Sequence, residues 1–280
     1  MAGRKRLEER PLLTDTDTIT CDVETTIRYV VRGEKATFYA GDRARSYWPG
    51  EDHTVVVHDM RPEADELAFD RNGFVLVDEA SPVSDYADPD QLAAYCRYCE
   101  QTVQRLTGAS KVVSFGAIRR TNAGGTHGHN QPAHGAHVDY GERTTADYTR
   151  LLLPDEADEL LTRRRMLFNL WRPIEMVESA PFALCDASTV RREDLFDSEV
   201  VGGLGGLDFS LWRFNLAYQP NHRWMWVPHQ QPWEMLVFKL FDTDDHAVQY
   251  TAHTAFEDPN TPPDAAPRQS IELRTIAYFD

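Results

Sequence analysis

Hydrophobic and polar positions divide the chain into many short, strand-like runs and one long amphipathic segment. From Glu24 to Phe38, β-branched and aromatic residues flank Arg32-Gly33-Glu34-Lys35, a pattern that predicts a hairpin. Thr54 to His58 and Phe74 to Val77 read as two further strands. From Asp88 to Thr107 the spacing becomes helical: Asp88 is placed to cap, Pro89 fits the first turn and Gly108 the stop. Leu92, Tyr95, Cys96, Cys99, Val103 and Leu106 recur on one face and predict a buried stripe. Beyond Lys111 the strand-like runs are Val112 to Ile118, Arg165 to Leu170, Leu211 to Tyr218, His222 to Val227, Met235 to Phe241, Gln249 to His253 and Gln269 to Tyr278. A second helix is predicted over Leu151 to Arg165. The pattern points to a mainly β chain, a sandwich or barrel of two sheets with helices outside. Gly202 to Gly206 and Asn260 to Pro267 read as loops.

Composition narrows this picture without changing it. A length of 280 residues admits one large domain or two ordinary ones. The 29 Lys and Arg against 45 Asp and Glu give a formal charge of −16, which disfavours nucleic acid and anionic lipid as partners. No apolar run approaches the ~18 to 20 residues that span a bilayer. The basic cluster Arg4, Lys5 and Arg6 has no apolar segment behind it, so it does not read as a signal peptide. Four scattered cysteines make no disulfide scaffold, and a reducing cytoplasm is the expected location. Cys96 and Cys99 have C-x-x-C spacing but lie on the helix stripe without a second pair, which argues against zinc or redox use.

The chemistry lies in the histidines. Of ten in the chain, His127, His129, His134 and His137 crowd into one Gly-rich stretch, for which a metal site and a solvated loop are both open readings. His137-Val138-Asp139 adds a constraint. On an extended strand residues i and i+2 project to one face, so the imidazole and the carboxylate can take adjacent positions on a metal. Two imidazoles and one carboxylate leave three positions open, the arrangement of non-haem Fe(II) oxygenases. His222, His229, His246 and His253 are downstream candidates for the second imidazole. Arg268 and Ser270 form an R-x-S pair able to hold one carboxylate. The strand pattern makes His253 and Arg268 neighbours across a hairpin, which favours His253.

An H-x-D, a distal His and a following R-x-S in this order resemble the Fe(II)- and 2-oxoglutarate-dependent oxygenases of the double-stranded β-helix (jelly-roll, cupin-like) fold. More narrowly, the chain is similar to the AsaB-type hydroxylase/desaturase family with its CmcJ-like members. His137 to Tyr140, Asn169 to Pro173, Pro181 to Asp186, His222 to Trp224, His253 to Phe256 and Pro267 to Arg274 carry the likeness. It runs from about Glu24 to the C-terminus, so residues 1–23 are read as an N-terminal extension and 24–280 as a single oxygenase domain with helical insertions. The resemblance implies Fe(II) held by His137, Asp139 and His253. It implies 2-oxoglutarate as co-substrate with O2, and oxidation of a small-molecule, secondary-metabolite substrate by C–H abstraction, ending in hydroxylation, desaturation or a related outcome.

Two departures bear on the anchor. His253 and Arg268 are farther apart than is usual in such enzymes, and Arg274 shares a strand face with Arg268, so it is a rival; the serine two residues on favours Arg268. Tyr140, Arg172 and Trp224 are candidate substrate contacts. Trp224 and Trp226 fit the core equally well, and Arg172 fits a buried ion pair equally well. His127, His129 and His134 are expected to form a lip over the site. A cupin-like metalloenzyme would use the same histidines without needing Arg268 and Ser270, and a non-catalytic small-molecule-binding barrel would need neither. Monomer and homodimer both stay open.

Overall fold

A computed structural model of the chain describes residues 21–39, 42, 44–124, 130–201 and 211–280. Its elements are β1 (Val23–Val30), β2 (Ala36–Tyr39), β3 (Gly50–Asp59), β4 (Phe74–Asp78), α1 (Pro89–Thr107), β5 (Lys111–Thr121), β6 (His137–Val138), α2 (Glu142–Leu152), α3 (Ala157–Leu160), β7 (Arg165–Pro173), β8 (Phe182–Cys185), β9 (Leu195–Val201), β10 (Leu211–Leu216), β11 (Trp224–Trp226), β12 (Glu234–Asp242), β13 (His253–Ala255) and β14 (Gln269–Tyr278). They form a nine-stranded sheet, β1-β3-β11-β8-β13-β6-β10-β9-β2, and a five-stranded sheet, β4-β12-β7-β14-β5. This is the two-sheet, double-stranded β-helix architecture expected from the strand pattern and the family likeness.

The period-2 alternation of β7, β12 and β14 serves two cores at once. Leu167, Trp171, Leu236, Phe238, Ile276 and Tyr278 point between the sheets toward Leu184 and Leu211. Their neighbours Phe168, Leu170, Val237, Ile271 and Leu273 point outward and are covered by Tyr95, Cys99 and Val103 of α1. A sheet buried on both faces needs such a cover, and burial of Val103 alone contributes roughly 1.5–3 kcal/mol. The helix ends as its sequence dictates: the Asp88 carboxylate accepts from the Gln91 N–H at 2.9 Å, and Gly108 takes φ +72°. Leu106 departs from the predicted stripe and is 38% exposed. Burial pushes the Cys99 thiol up to about 12, which keeps it protonated and inert, as the stripe implied.

Four local expectations are corrected. The strands of the predicted hairpin exist but do not pair: β1 runs antiparallel to β3, and β2 runs parallel to β9, because the turn at Gly33 sends the chain across the sheet. The helix predicted over Leu151 to Arg165 lies instead at α2, with one further turn at α3. Threonines hid α2, yet Thr145 and Thr149 bond back to the carbonyls of Gly141 and Thr145, both at 2.8 Å, while Pro154 ends the run. The strand Gln249 to His253 is not formed. Tyr250 takes φ +55° and the Gln249 amide is tied to the Asp242 and Asp244 carbonyls, so His253 opens β13 rather than closing a strand. Last, β13 and β14 belong to different sheets, so His253 and Arg268, which immediately precedes β14, are not hairpin neighbours.

Candidate metal centre

Strand β13 lies between β8 and β6, and its register sets the site. His253 is directly opposite His137 on β6, so both rings project from the same face, 4.4 Å apart between centroids. Asp139 follows on the same side. Donor atoms of His137, Asp139 and His253 all lie within 4.8 Å of one another, and no other such group of three or more His, Cys, Asp or Glu is found among the described residues. The His137 Nε2 stands 3.6 Å from Asp139 Oδ1 and the His253 Nε2 3.9 Å from Oδ2.

Backbone carbonyls fix both ring orientations. His137 Nδ1 bonds the Gly135 carbonyl at 2.8 Å, and His253 Nδ1 bonds the Thr251 carbonyl at 3.2 Å. Each Nδ1 therefore carries the proton, and each Nε2 presents a lone pair toward Asp139, as metal ligation requires. Gly135 is at φ +123° with the Trp48 ring packed where a Cβ would stand, so only glycine brings that carbonyl under His137. Burial keeps both rings neutral: His137 is pushed down to about 3, with His253 adding to the effect, and His253 is lowered as well. For Asp139 burial favours the protonated acid, but the fields of His137 and Arg274 outweigh it and hold the carboxyl well below its usual range. At neutral pH His137 is uncharged, which leaves Arg274 as the stabilising cation. Two neutral imidazoles and a carboxylate anion fit a divalent metal.

Strand β14 faces this centre from the other sheet with Ser270, Glu272 and Arg274 in register on one side. The two candidate anchors have different surroundings. Arg274 Nη2 donates to Asp139 Oδ2 at 3.0 Å and to Glu272 Oε1 at 2.6 Å, and Nη1 donates to the Gly116 carbonyl at 3.0 Å. A bulge in β5 at Gly116, φ +63°, aims that carbonyl inward. Both terminal nitrogens of Arg274 are thus engaged, one of them on Asp139, while its Nε has no partner among the described residues. Arg268 is 2% exposed and has no carboxylate partner among the described residues: Nη1 donates to the Ala180 carbonyl at 2.7 Å, its charge lies 5.4 Å from the Trp171 ring centre, and Nε is unpaired there. Burial pushes it down to about 9, with Arg120 repelling and Glu272 opposing, so it stays charged at neutral pH. The buried Ser270 hydroxyl of β14 and Trp171 Nε1 of β7, both donors, also lack partners among the described residues. Buried polar atoms without partners are uncommon, and this cluster suits a small carboxylic acid.

The remaining predicted residues separate. Tyr140, at φ +66°, turns back beside Arg274, 5.6 Å from ring centre to guanidinium. Arg172 lies on the outer face of β7, under α1, donating to the carbonyls of Glu79 and Pro232 and to the Tyr98 hydroxyl. Alternation puts it opposite Trp171, so it is away from the centre and makes carbonyl bonds rather than an ion pair. Trp224 is in register with Cys185, whereas His253 is in register with Leu184; it faces away from the metal residues and donates to the Tyr29 hydroxyl at 2.6 Å. Both side chains project from faces turned away from the three donors. His134 bridges to Ala255 and lies near Glu257, apart from the three donors. His127 and His129 are outside the described residues. Sequence reasoning missed Ser198, Arg213 and Asn215, polar residues of β9 and β10 that face inward.

A double-stranded β-helix that brings two imidazoles and a carboxylate together on one inner face has the architecture of a metal-dependent enzyme. The chain belongs to the family described as "Oxidoreductase/YMDC permease-like domain", which matches residues 24–278. It is 29% identical over 243 residues to the Fe(II)/2-oxoglutarate-dependent dioxygenase nvfI of Aspergillus novofumigatus, covering 81% of this chain and 83% of that protein. It is 26% identical over 250 residues to the hydroxylase/desaturase efuI of Hormonema carpetanum, again covering 81% and 83%. The solved structure of the iron and alpha-ketoglutarate-dependent endoperoxidase NvfI superposes with a TM-score of 0.79 at 26% identity, over 93% of this chain and 98% of that one. These relatives bear out the AsaB-type likeness.

Proposed function

We propose that the chain is an Fe(II)- and 2-oxoglutarate-dependent oxygenase of the hydroxylase/desaturase type, acting through one domain over residues 24–280 on a small-molecule, secondary-metabolite substrate. His137, Asp139 and His253 hold the iron. Bound there, the metal supplies the redox chemistry that couples oxidative decarboxylation of 2-oxoglutarate by O2 to oxidation of a substrate C–H bond. The observation that carries the reading is the pairing of two features across the interior: two imidazole Nε2 atoms and a carboxylate converging from one sheet, and an unpaired buried guanidinium with a free hydroxyl, Arg268 and Ser270, on the other.

The chain's own work is positional. Arg268 and Ser270 take the far carboxylate of the co-substrate, while Arg274 holds Asp139 as an anion and is not available as anchor. Phe182 and Phe238, 5.6 Å and 4.9 Å from the His253 ring, and Trp171 stacked on Phe182 at 4.8 Å, keep that side of the centre dry and limit escape of reactive species. No helix among the described residues is long and apolar enough to cross a membrane. The four cysteines are unpaired, as a cytoplasmic setting permits.

Incubation of the iron-loaded protein with 2-oxoglutarate in air is expected to yield succinate and CO2 in equal amounts, slowly without substrate and faster with it. The His137→Ala variant is expected to lose this turnover. Iron-dependent activity on a substrate with no requirement for 2-oxoglutarate would favour a cupin-like metalloenzyme instead.

A further inference from the structure

The interior carries a second group of unpaired polar atoms, away from Arg268 and Ser270. Strand β10 lies beside β6, with Asn215 directly opposite His137, so Asn215 and Arg213 two residues earlier share the face from which the metal ligands project. On the next strand Ser198 is directly opposite Arg213. Asn215 is 1% exposed and Ser198 is fully buried. Asn215 Nδ2, Ser198 Oγ and Arg213 Nε are all buried without a hydrogen-bond partner among the described residues. The Arg213 guanidinium carbon lies over the Phe38 ring, 3.9 Å from its centre; Arg213 makes no ion pair among the described residues, although it feels the field of the Asp139 carboxylate. Stacking satisfies the face of a guanidinium but not its edge, where the N–H groups point.

Three donors in one patch, one of them cationic, call for an acceptor carrying negative charge. A carboxylate matches: two oxygens receive the guanidinium edge, the amide and the hydroxyl, and a single charge balances a single arginine. A phosphate dianion would leave one charge uncompensated. The patch adjoins His137, whereas Arg268 approaches from the facing sheet, so the two anion sites flank the metal centre from different strands. We propose that Ser198, Arg213 and Asn215 form a substrate-binding site that takes a carboxylate and so holds a carboxylic-acid substrate beside the metal. This rests on the oxygenase reading above, because it assigns Arg268 to the co-substrate and leaves Arg213 for the substrate.

The test uses 4-fluorobenzoate as probe, followed by fluorine NMR on protein loaded anaerobically with Fe(II) and the unreactive co-substrate analogue N-oxalylglycine. Saturable binding is expected, with line broadening that disappears when Zn(II) replaces Fe(II). Methyl 4-fluorobenzoate and the Arg213→Met variant should each bind at least about tenfold more weakly, the loss expected for one charge-assisted pair. The variant should bind N-oxalylglycine like wild type. Absence of saturable binding, equal binding of the ester, or competition between the probe and N-oxalylglycine would overturn the proposal. Failure of the co-substrate reading would show separately, as absence of N-oxalylglycine binding in its own titration, with the fluorobenzoate comparison still readable on the Zn(II) protein. The acid-versus-ester comparison on wild type needs no variant to fold.

Discussion

Replacing Arg268 with methionine is expected to have opposite effects on the free protein and on its complex with 2-oxoglutarate. The side chain is 2% exposed and has no carboxylate partner in the free state, and a fall from 12.5 to about 9 for its ionisation corresponds to a cost on the order of 5 kcal/mol for keeping it charged. The sign is fixed by linkage: a base depressed by burial carries its full cost below its folded value, so at pH 7 all of it is present. Methionine fills a similar volume and removes that charge, at the loss of the bond to the Ala180 carbonyl, worth about 1–3 kcal/mol. A net gain of roughly 2–4 kcal/mol should raise the melting temperature of the metal- and ligand-free protein by at least about 4 °C. In the complex the same change removes the anchor. Truncating one member of a buried charge pair costs about 2–5 kcal/mol, so the Kd for 2-oxoglutarate should rise roughly 30-fold or more. Differential scanning fluorimetry with and without Fe(II) and 2-oxoglutarate reads both effects. A variant that melts lower than wild type when free and still gains stability from 2-oxoglutarate would refute the assignment.

Other perturbations separate the roles of the remaining residues. Arg274→Met removes the cation at Asp139 Oδ2 and should weaken iron about 10- to 100-fold, measured by competition with a chelator, while the iron-loaded fraction binds 2-oxoglutarate normally. Arg172→Met should lower stability by about 2–4 kcal/mol in urea unfolding, because it strands two carbonyls under α1, yet leave the 2-oxoglutarate Kd unchanged. In the metal-free protein His137 and His253 are held below their usual range, so the unfolded chain takes up protons first. Stability should therefore fall from pH 6.5 to pH 5 by up to about 2 kcal/mol for each ring, and His137→Ala should flatten that slope. The Cys99 thiol, 0% exposed and pushed up to about 12, should react with Ellman's reagent only after unfolding.

What could be read from the chain and what could not have physical causes. The candidate metal-site residues were legible because i, i+2 alternation is a local property: His137 and Asp139 share a face whatever the sheet around them. The capped helix over Asp88 to Thr107 was legible for the same reason. Strand partners were not, since pairing is set by long-range packing. Thus the pattern of β1 and β2 reads as a hairpin although they join different strands, and His253 and Arg268 read as hairpin neighbours although β13 and β14 lie in different sheets. The choice between Arg268 and Arg274 needed three-dimensional neighbours, because alternation gives both the same face and only their partners differ. Arg213 and Asn215 escaped notice because polar residues alternating with Trp212 and Phe214 imitate the solvent side of a strand, while here they point inward.

The account rests on iron and 2-oxoglutarate meeting between the two sheets, and anaerobic visible absorption tests that most directly. Adding 2-oxoglutarate to the Fe(II)-loaded wild type should produce the weak charge-transfer band of the chelated co-substrate, saturating at one equivalent per iron. His137→Ala should give no band, and Arg268→Met should give it only at much higher 2-oxoglutarate. Iron bound by His137, Asp139 and His253 with no band at any concentration of 2-oxoglutarate would contradict the account.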